Sequence, residues 1–234
     1  MSLQPAEQLP NAYHHQFDQV VVDHAATAMW YTSPSIGVSR RPLMRIGAEV
    51  AYATSVVRYA AGSHFPAHTH GGGEEIWVLS GVFSDEHGDY PAGSYLRHPV
   101  GSSHAPFSVE GCEILVRLWQ VLPDDTRQCA LTPQMSVWQQ IGQGIQRCDL
   151  HQYRNLYIYI LKIPAHHTVT LAFGQAVEIW INQGKIIENQ TIYDEKTWLR
   201  FPDQRVVTWH TADQEVQLLI YEGWRQPLSH LMDK

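Results

Sequence analysis

A shift of 103 residues, made without a gap, lays the first half of this chain on the second. Glu75, Ile76, Trp77 and Gly81 fall on Glu178, Ile179, Trp180 and Gly184, and Tyr90, Leu96, Arg97 and Pro99 fall on Tyr193, Leu199, Arg200 and Pro202. Upstream, after a small change of register, GVSRRPL at Gly37 to Leu43 meets GIQRCDL at Gly144 to Leu150. Self-similarity at so long a period marks a duplicated structural unit. The 234 residues, 44% of them hydrophobic, can fill two small cores, since domains usually hold roughly 100 to 200 residues. The polar, proline-flanked stretch LPDDTRQCALTP, Leu122 to Pro133, reads as the connector, so domains over 1–123 and 124–234 are expected.

Short runs of β-branched and aromatic residues dominate both halves, as in EVAYATSVVRYA, EEIWVLSGVFSDEHGDY, CEILVRLWQVL, NLYIYILKI, VEIWINQGKII and EVQLLIYEGW. Gly, Pro, Asn or Asp break them every few residues, which makes the chain all-β. Only the region from Met135 to Ile145 suggests a short helix, and Gly142 and Gly144 work against it. A net charge of −7 without any Lys/Arg run argues against nucleic acid as a direct partner. No apolar stretch approaches the roughly 20 residues of a membrane span, and the polar first residues have no signal-peptide core, so a soluble cytoplasmic protein is expected. Cys112, Cys129 and Cys148 are odd in number and far apart, which fits free thiols better than a disulfide framework.

The repeat is broken at four positions, and those positions carry chemistry. His68, His70, Glu74 and His104 are metal-ligand residue types, and their counterparts are Leu171, Phe173, Val177 and Val207. Residues two apart on a strand share a face, so His68 and His70 can present two imidazoles to one point. Gly71, Gly72 and Gly73 permit the bend that returns Glu74 to it. His104 follows the turn at Pro99 to Gly101 and arrives from a separate strand. Solvated positions would be polar in both halves; apolar counterparts place all four inside a barrel. Burying three imidazoles and a carboxylate there costs several kcal/mol without compensation, and a metal ion is the simplest compensation. One divalent transition metal per chain is expected, with zinc first and iron, manganese or nickel as alternatives.

Other residues read differently. His64 is in phase with His68 and His70, but its counterpart His167 persists where the ligands do not, so it reads as structural. His98, with Phe201 as counterpart, reads equally as packing or as a group touching the ligands. His64 and His98 are also the visible candidates for moving a proton at the site, and no catalytic residue is assigned. Glu75 recurs as Glu178 and is expected to pair with Arg97, as Glu178 with Arg200, in both halves. Ser102, Ser103 and His104 lack the context of a hydrolase triad. The adjacent pairs His14–His15 and His166–His167 diverge on a strand, and Trp77 and Trp180 point away from Glu74 as packing residues.

Gly62-x5-His68-x-His70-x3-Glu74-x6-Gly81 resembles the first signature of the cupin superfamily, and Gly93-x5-Pro99-x-Gly101-x2-His104 resembles the second, with Ser108 where Asn is usual. The first half, RYAAGSHFPAHTHGGGEEIWVLSG onward, resembles the cupin domain of ChrR-type anti-sigma factors. The resemblance implies two double-stranded β-helix (jelly-roll) barrels, a bicupin whose second barrel is degenerate, with His68, His70, Glu74 and His104 as the metal ligands. It implies a regulatory protein responsive to a small molecule or oxidant; a mononuclear non-haem dioxygenase acting on a small chelating substrate is the alternative. Anti-sigma factors of this type bind their partner through a helical domain with an HxxxCxxC zinc site. The first sixty residues here contain no Cys, so a sigma-factor partner is not expected. A homodimer is expected from exposed sheet edges.

Overall fold

The computed structural model describes residues 9–48 and 50–224. Among them there is no α-helix, only two three-residue 3-10 turns, Ala25–Thr27 and Pro133–Met135. The chain forms two compact units, each a rolled pair of antiparallel sheets. In the first unit the large sheet runs, by adjacency, through Ala12–Tyr13, Val38–Gly47, Ala51–Tyr59, Cys112–Leu118, Glu74–Asp85, Tyr95–His98 and Cys129–Leu131. The same sheet continues from the far end of Glu74–Asp85 into Phe107–Ser108 and Ser63–His64, while His68–Thr69 with Ser103–His104 forms a separate two-stranded ribbon. The second unit repeats the plan: Gln139–Gly142, Ile145–Tyr153, Leu156–Ile163, Val216–Glu222, Val177–Gln183, Trp198–Phe201 and Val21–Asp23 form one sheet. Its other sheet pairs Thr168–Phe173, Arg205–Thr211, Ile186–Glu188 and Thr191–Tyr193.

The repeat holds at the level of single pairings. His68 is opposite His104, and Leu171 is opposite Val207; Glu74 is opposite His98, and Val177 is opposite Phe201. Even the bulge between Pro42 and Met44 recurs between Asp149 and His151. Val207, Phe173 and Val177 belong to the buried interior of the second barrel, and Leu171 packs against it. The interior of the first is built from Val57, Ile76, Val78, Leu96, Ile114 and Val116, among others.

The units do not divide at a single cut after residue 123. Among the described residues, the first comprises 9–15, 29–48 and 50–135, and the second 16–28 and 136–224. The expected connector contributes Cys129–Leu131 to the edge at Tyr95–Arg97. Val21–Asp23 covers the equivalent edge at Trp198–Arg200. Each edge strand would otherwise present unpaired backbone groups, and three residues suffice to cover it. The short helix suggested for Met135 to Ile145 is also replaced. Gln143 and Gly144 take positive φ of 51° and 76°, closing a hairpin between Gln139–Gly142 and Ile145–Tyr153.

Strand Glu74–Asp85 explains why the pattern EEIWV does not alternate polar with apolar: both of its faces are buried. Ile76 and Val78 face the barrel interior, whereas Glu75 and Trp77 face the other way. Glu75 is fully buried and bonded to Arg97, to Arg117 at 3.1 Å and to Tyr95 Oη at 2.8 Å; Arg97 also reaches Asp125. Glu75→Ala would leave Arg97 and Arg117 buried without this carboxylate. Urea unfolding should show a loss of about 3–5 kcal/mol; a loss below about 1 kcal/mol would contradict the network's structural role.

Candidate metal centre

Four donor groups converge in the first barrel. One nitrogen or oxygen from each of His68, His70, Glu74 and His104 lies within 4.8 Å of all the others. His68 and His104 come from the short ribbon and Glu74 from the start of the long strand, so the two walls of the barrel meet here. The loop between them depends on glycine. A Cβ on Gly72 would sit 2.4 Å from the Trp119 ring and 2.6 Å from its Cα, and Gly73 has φ of +72° with Val121 against it. Trp119 itself adopts φ of 62°, sparsely populated for a non-glycine residue. Its N–H donates to Gly73 O, and Val121 N–H donates to Gly72 O, fixing the loop to the end of strand Cys112–Leu118.

The side chains are oriented by neighbours. His68 Nδ1 lies 2.9 Å from Pro66 O, where it donates, turning Nε2 towards the site. His104 Nδ1 lies 3.3 Å from Asp85 Oδ2, while Asp85 Oδ1 accepts from His87 N–H and Tyr90 Oη. Glu74 Oε2 is 3.3 Å from His104 Nε2, 3.3 Å from His98 Nδ1 and 3.7 Å from His70 Nε2. His70 Nε2 and His104 Nε2 are buried without a hydrogen-bond partner. Buried polar atoms are ordinarily satisfied, so two orphaned imidazole nitrogens beside a carboxylate fit a cation held among them. His–carboxylate donors in this number suit zinc or another divalent transition metal.

Of the two accessory histidines, the structure brings in one. His98 touches Glu74 and stacks on His70, with centroids 5.2 Å apart and planes 11° from parallel. His64 is exposed and stacks on Phe107, outside the cluster. His14 instead reaches Leu43 O, and Ser102 Oγ donates to Pro99 O within its turn. The three cysteines are free thiols. Asp85, Trp119 and Tyr59 were not singled out by sequence. Asp85 has an acid, Glu188, at the equivalent place in the second half, so comparing the halves gave no signal for it.

A cavity of about 300 Å³ adjoins all four donors. Its walls are mostly apolar, from Val57, Ile76, Phe83, Ile114 and Val116, with Trp119 and Gly71 along the glycine loop.

Burial and charge act on each donor differently. Burial pushes His70 down to about 4. For His104 burial opposes protonation, but Asp85 and Glu74 outweigh it and raise it to about 9. Burial opposes ionisation of Glu74 too, yet contact with His104 and His98 holds it well below the usual carboxylate range. With its pKa raised to about 9, His104 is protonated near pH 7.5 before an ion binds. Binding a divalent ion should release about one proton per site, read as the dependence of calorimetric enthalpy on buffer ionisation heat; no such dependence would contradict a protonated His104.

A family model described as the ChrR Cupin-like domain matches residues 18–122. No curated protein matches the chain in sequence. Among solved structures, a Nostoc punctiforme protein described as a "putative dioxygenase" is similar with a TM-score of 0.71 at 17% identity, covering 87% of this chain and 82% of that one. Escherichia coli Ylba has a TM-score of 0.69 at 13% identity, covering 93% and 96%. The E. coli pirin YhhW in complex with nickel(II) has a TM-score of 0.66 at 14% identity, covering 87% and 99%. At these identities the likeness is one of fold. The chain has a cupin-type fold, and its residues 18–122, less than half of its length, match the model of the ChrR Cupin-like domain.

Proposed function

We propose that the first unit is a mononuclear metal centre with His68, His70, Glu74 and His104 as ligands, and that it acts as a dioxygenase-type enzyme on a small organic molecule. The observation that carries this is the cavity: about 300 Å³ of largely apolar space opens directly onto all four donors. A site that only stabilised the fold would be closed over its ion. When bound, a divalent ion supplies Lewis acidity and open coordination positions. The chain supplies the rest. Asp85 and the Pro66 carbonyl hold two imidazoles in the tautomer that leaves Nε2 free, and His98 steadies the Glu74 carboxylate. The apolar wall keeps bulk water from the bound molecule. The second unit, with Leu171, Phe173, Val177 and Val207 at the equivalent positions, is proposed to hold no metal.

A second reading, an oxidant- or ligand-responsive regulatory protein without turnover, is favoured by the ChrR cupin-like match over 18–122. Oxygen uptake by Fe(II)-loaded protein against β-diketones, thiols and flavonols separates the two. Consumption with any of them supports the enzyme; silence across the panel, with metal retained, favours regulation.

Protein purified without added metal should contain about one ion per chain. Two ions would contradict a metal-free second barrel, and none would remove the centre. His68→Ala and Glu74→Gln should abolish retention of the ion, whereas His167→Ala should leave it intact. Asp85→Asn should keep the site but weaken metal affinity by about 10–100-fold, measured by competition with a chromophoric chelator.

A further inference from the structure

We propose that the Trp119 indole is a stacking platform at the mouth of the metal-site cavity, so that the molecule held there carries a flat aromatic ring beside its chelating group. The inference rests on the metal-site reading for the chelating end of that molecule. Trp119 holds φ of 62°, a left-handed conformation in which the Cβ of any residue but glycine crowds the backbone. The second barrel has glycine at the same place. Its Gly223 has φ of +85° and donates its N–H to Ala176 O at 2.7 Å, as Trp119 donates its N–H to Gly73 O at 3.1 Å. The preceding residues agree, with Leu118 opposite Glu74 and Glu222 opposite Val177. An ungapped shift of 103 residues sets Trp119 against Glu222 instead, which hides this correspondence.

The two barrels therefore share a left-handed turn and differ in what fills it. Glycine closes it without strain in one copy, so tryptophan in the other is there for its ring, at a cost in backbone strain of the kind that functional sites hold. The ring lies over the glycine loop: a Cβ on Gly72 would come 2.5 Å from Trp119 Cγ, and one on Gly71 3.0 Å from Trp119 Cζ2. Trp119 is nonetheless 37% exposed and borders the cavity, and its indole has no aromatic or cationic partner among the described residues. Phe65 and Phe83 add two further rings to the cavity wall. Because His70 and Glu74 flank the loop that Trp119 covers, a short molecule can engage both the metal end and the indole. Aromatic rings pair offset or edge-on with a gain beyond the area they bury, which a saturated ring of the same size does not obtain.

The test uses three hydroxamates with one chelating head, titrated calorimetrically into zinc-loaded full-length protein: acetohydroxamate, cyclohexanecarbohydroxamate and benzohydroxamate. Benzohydroxamate should bind about three- to tenfold more tightly than the saturated-ring compound. Trp119→Gly should erase that preference, Trp119→Phe should keep part of it, and acetohydroxamate affinity should stay within about twofold in both variants. Glycine is the residue that the second barrel uses at this turn, so Trp119→Gly removes the ring while relieving the backbone. Its metal content and thermal unfolding temperature should equal or exceed those of the parent; a variant that loses its metal shows the ring serving only to hold the loop, and overturns the proposal. Equal binding of the two cyclic compounds, binding of neither, or a preference that survives Trp119→Gly overturns it too. A metal-bearing chain that binds acetohydroxamate without discriminating between rings keeps the metal reading and removes this one. A chain without metal that still favours the flat ring through Trp119 does the reverse.

Discussion

Three imidazoles and a carboxylate set inside a largely apolar barrel are the constraint around which the first unit is organised. Such groups cost several kcal/mol to bury unless each polar atom finds a partner. Pro66 takes one nitrogen of His68, Asp85 takes one of His104, and Glu74 lies within reach of three histidines. The atoms left over, Nε2 of His70 and of His104, both border the same small space. The second barrel meets the same constraint by avoiding it, with Phe173, Val177 and Val207 buried at the corresponding places.

Strand Glu74–Asp85 shows how one backbone serves two unrelated purposes. Glu74 and Glu75 are adjacent, both buried, and point to opposite faces because strand side chains alternate. Glu74 joins the histidines, while Glu75 joins Arg97, Arg117 and Tyr95 in a charge network. A slip of one residue would exchange the two carboxylates and lose both arrangements. The close approach of Trp119 to Gly72, and the fit of Gly73 against Val121, hold the register where the strand begins.

Much of this was legible because the chain carries two copies of one frame. The fold class follows from strand patterning. The pairings of Glu75 with Arg97 and of Trp77 with packing follow from residues that recur in both copies, and the convergence of His68, His70, Glu74 and His104 follows from residues that do not. Asp85 escaped for the same reason: an acid occupies its place in both halves, although only Asp85 supports a histidine. The exchange of short edge strands also escaped. Three residues such as Val21–Asp23 carry no periodicity, and their partner Trp198–Arg200 lies far along the chain. His98 stood between two readings until its ring was seen stacked on His70 and its Nδ1 beside Glu74.

The sequence by itself determined an all-β duplicated fold, the inward direction of the four donor residues and the loss of those donors from the second copy. These depend on strand alternation and local turn chemistry, which are properties of neighbouring residues. Only the tertiary structure decided which groups orient the donors, how the two units share the chain at residues 16–28 and 124–135, and that Trp119 and the four donors border one cavity. Those depend on pairings between distant strands and on a left-handed turn at Trp119, and the closing of the barrel brings these groups together.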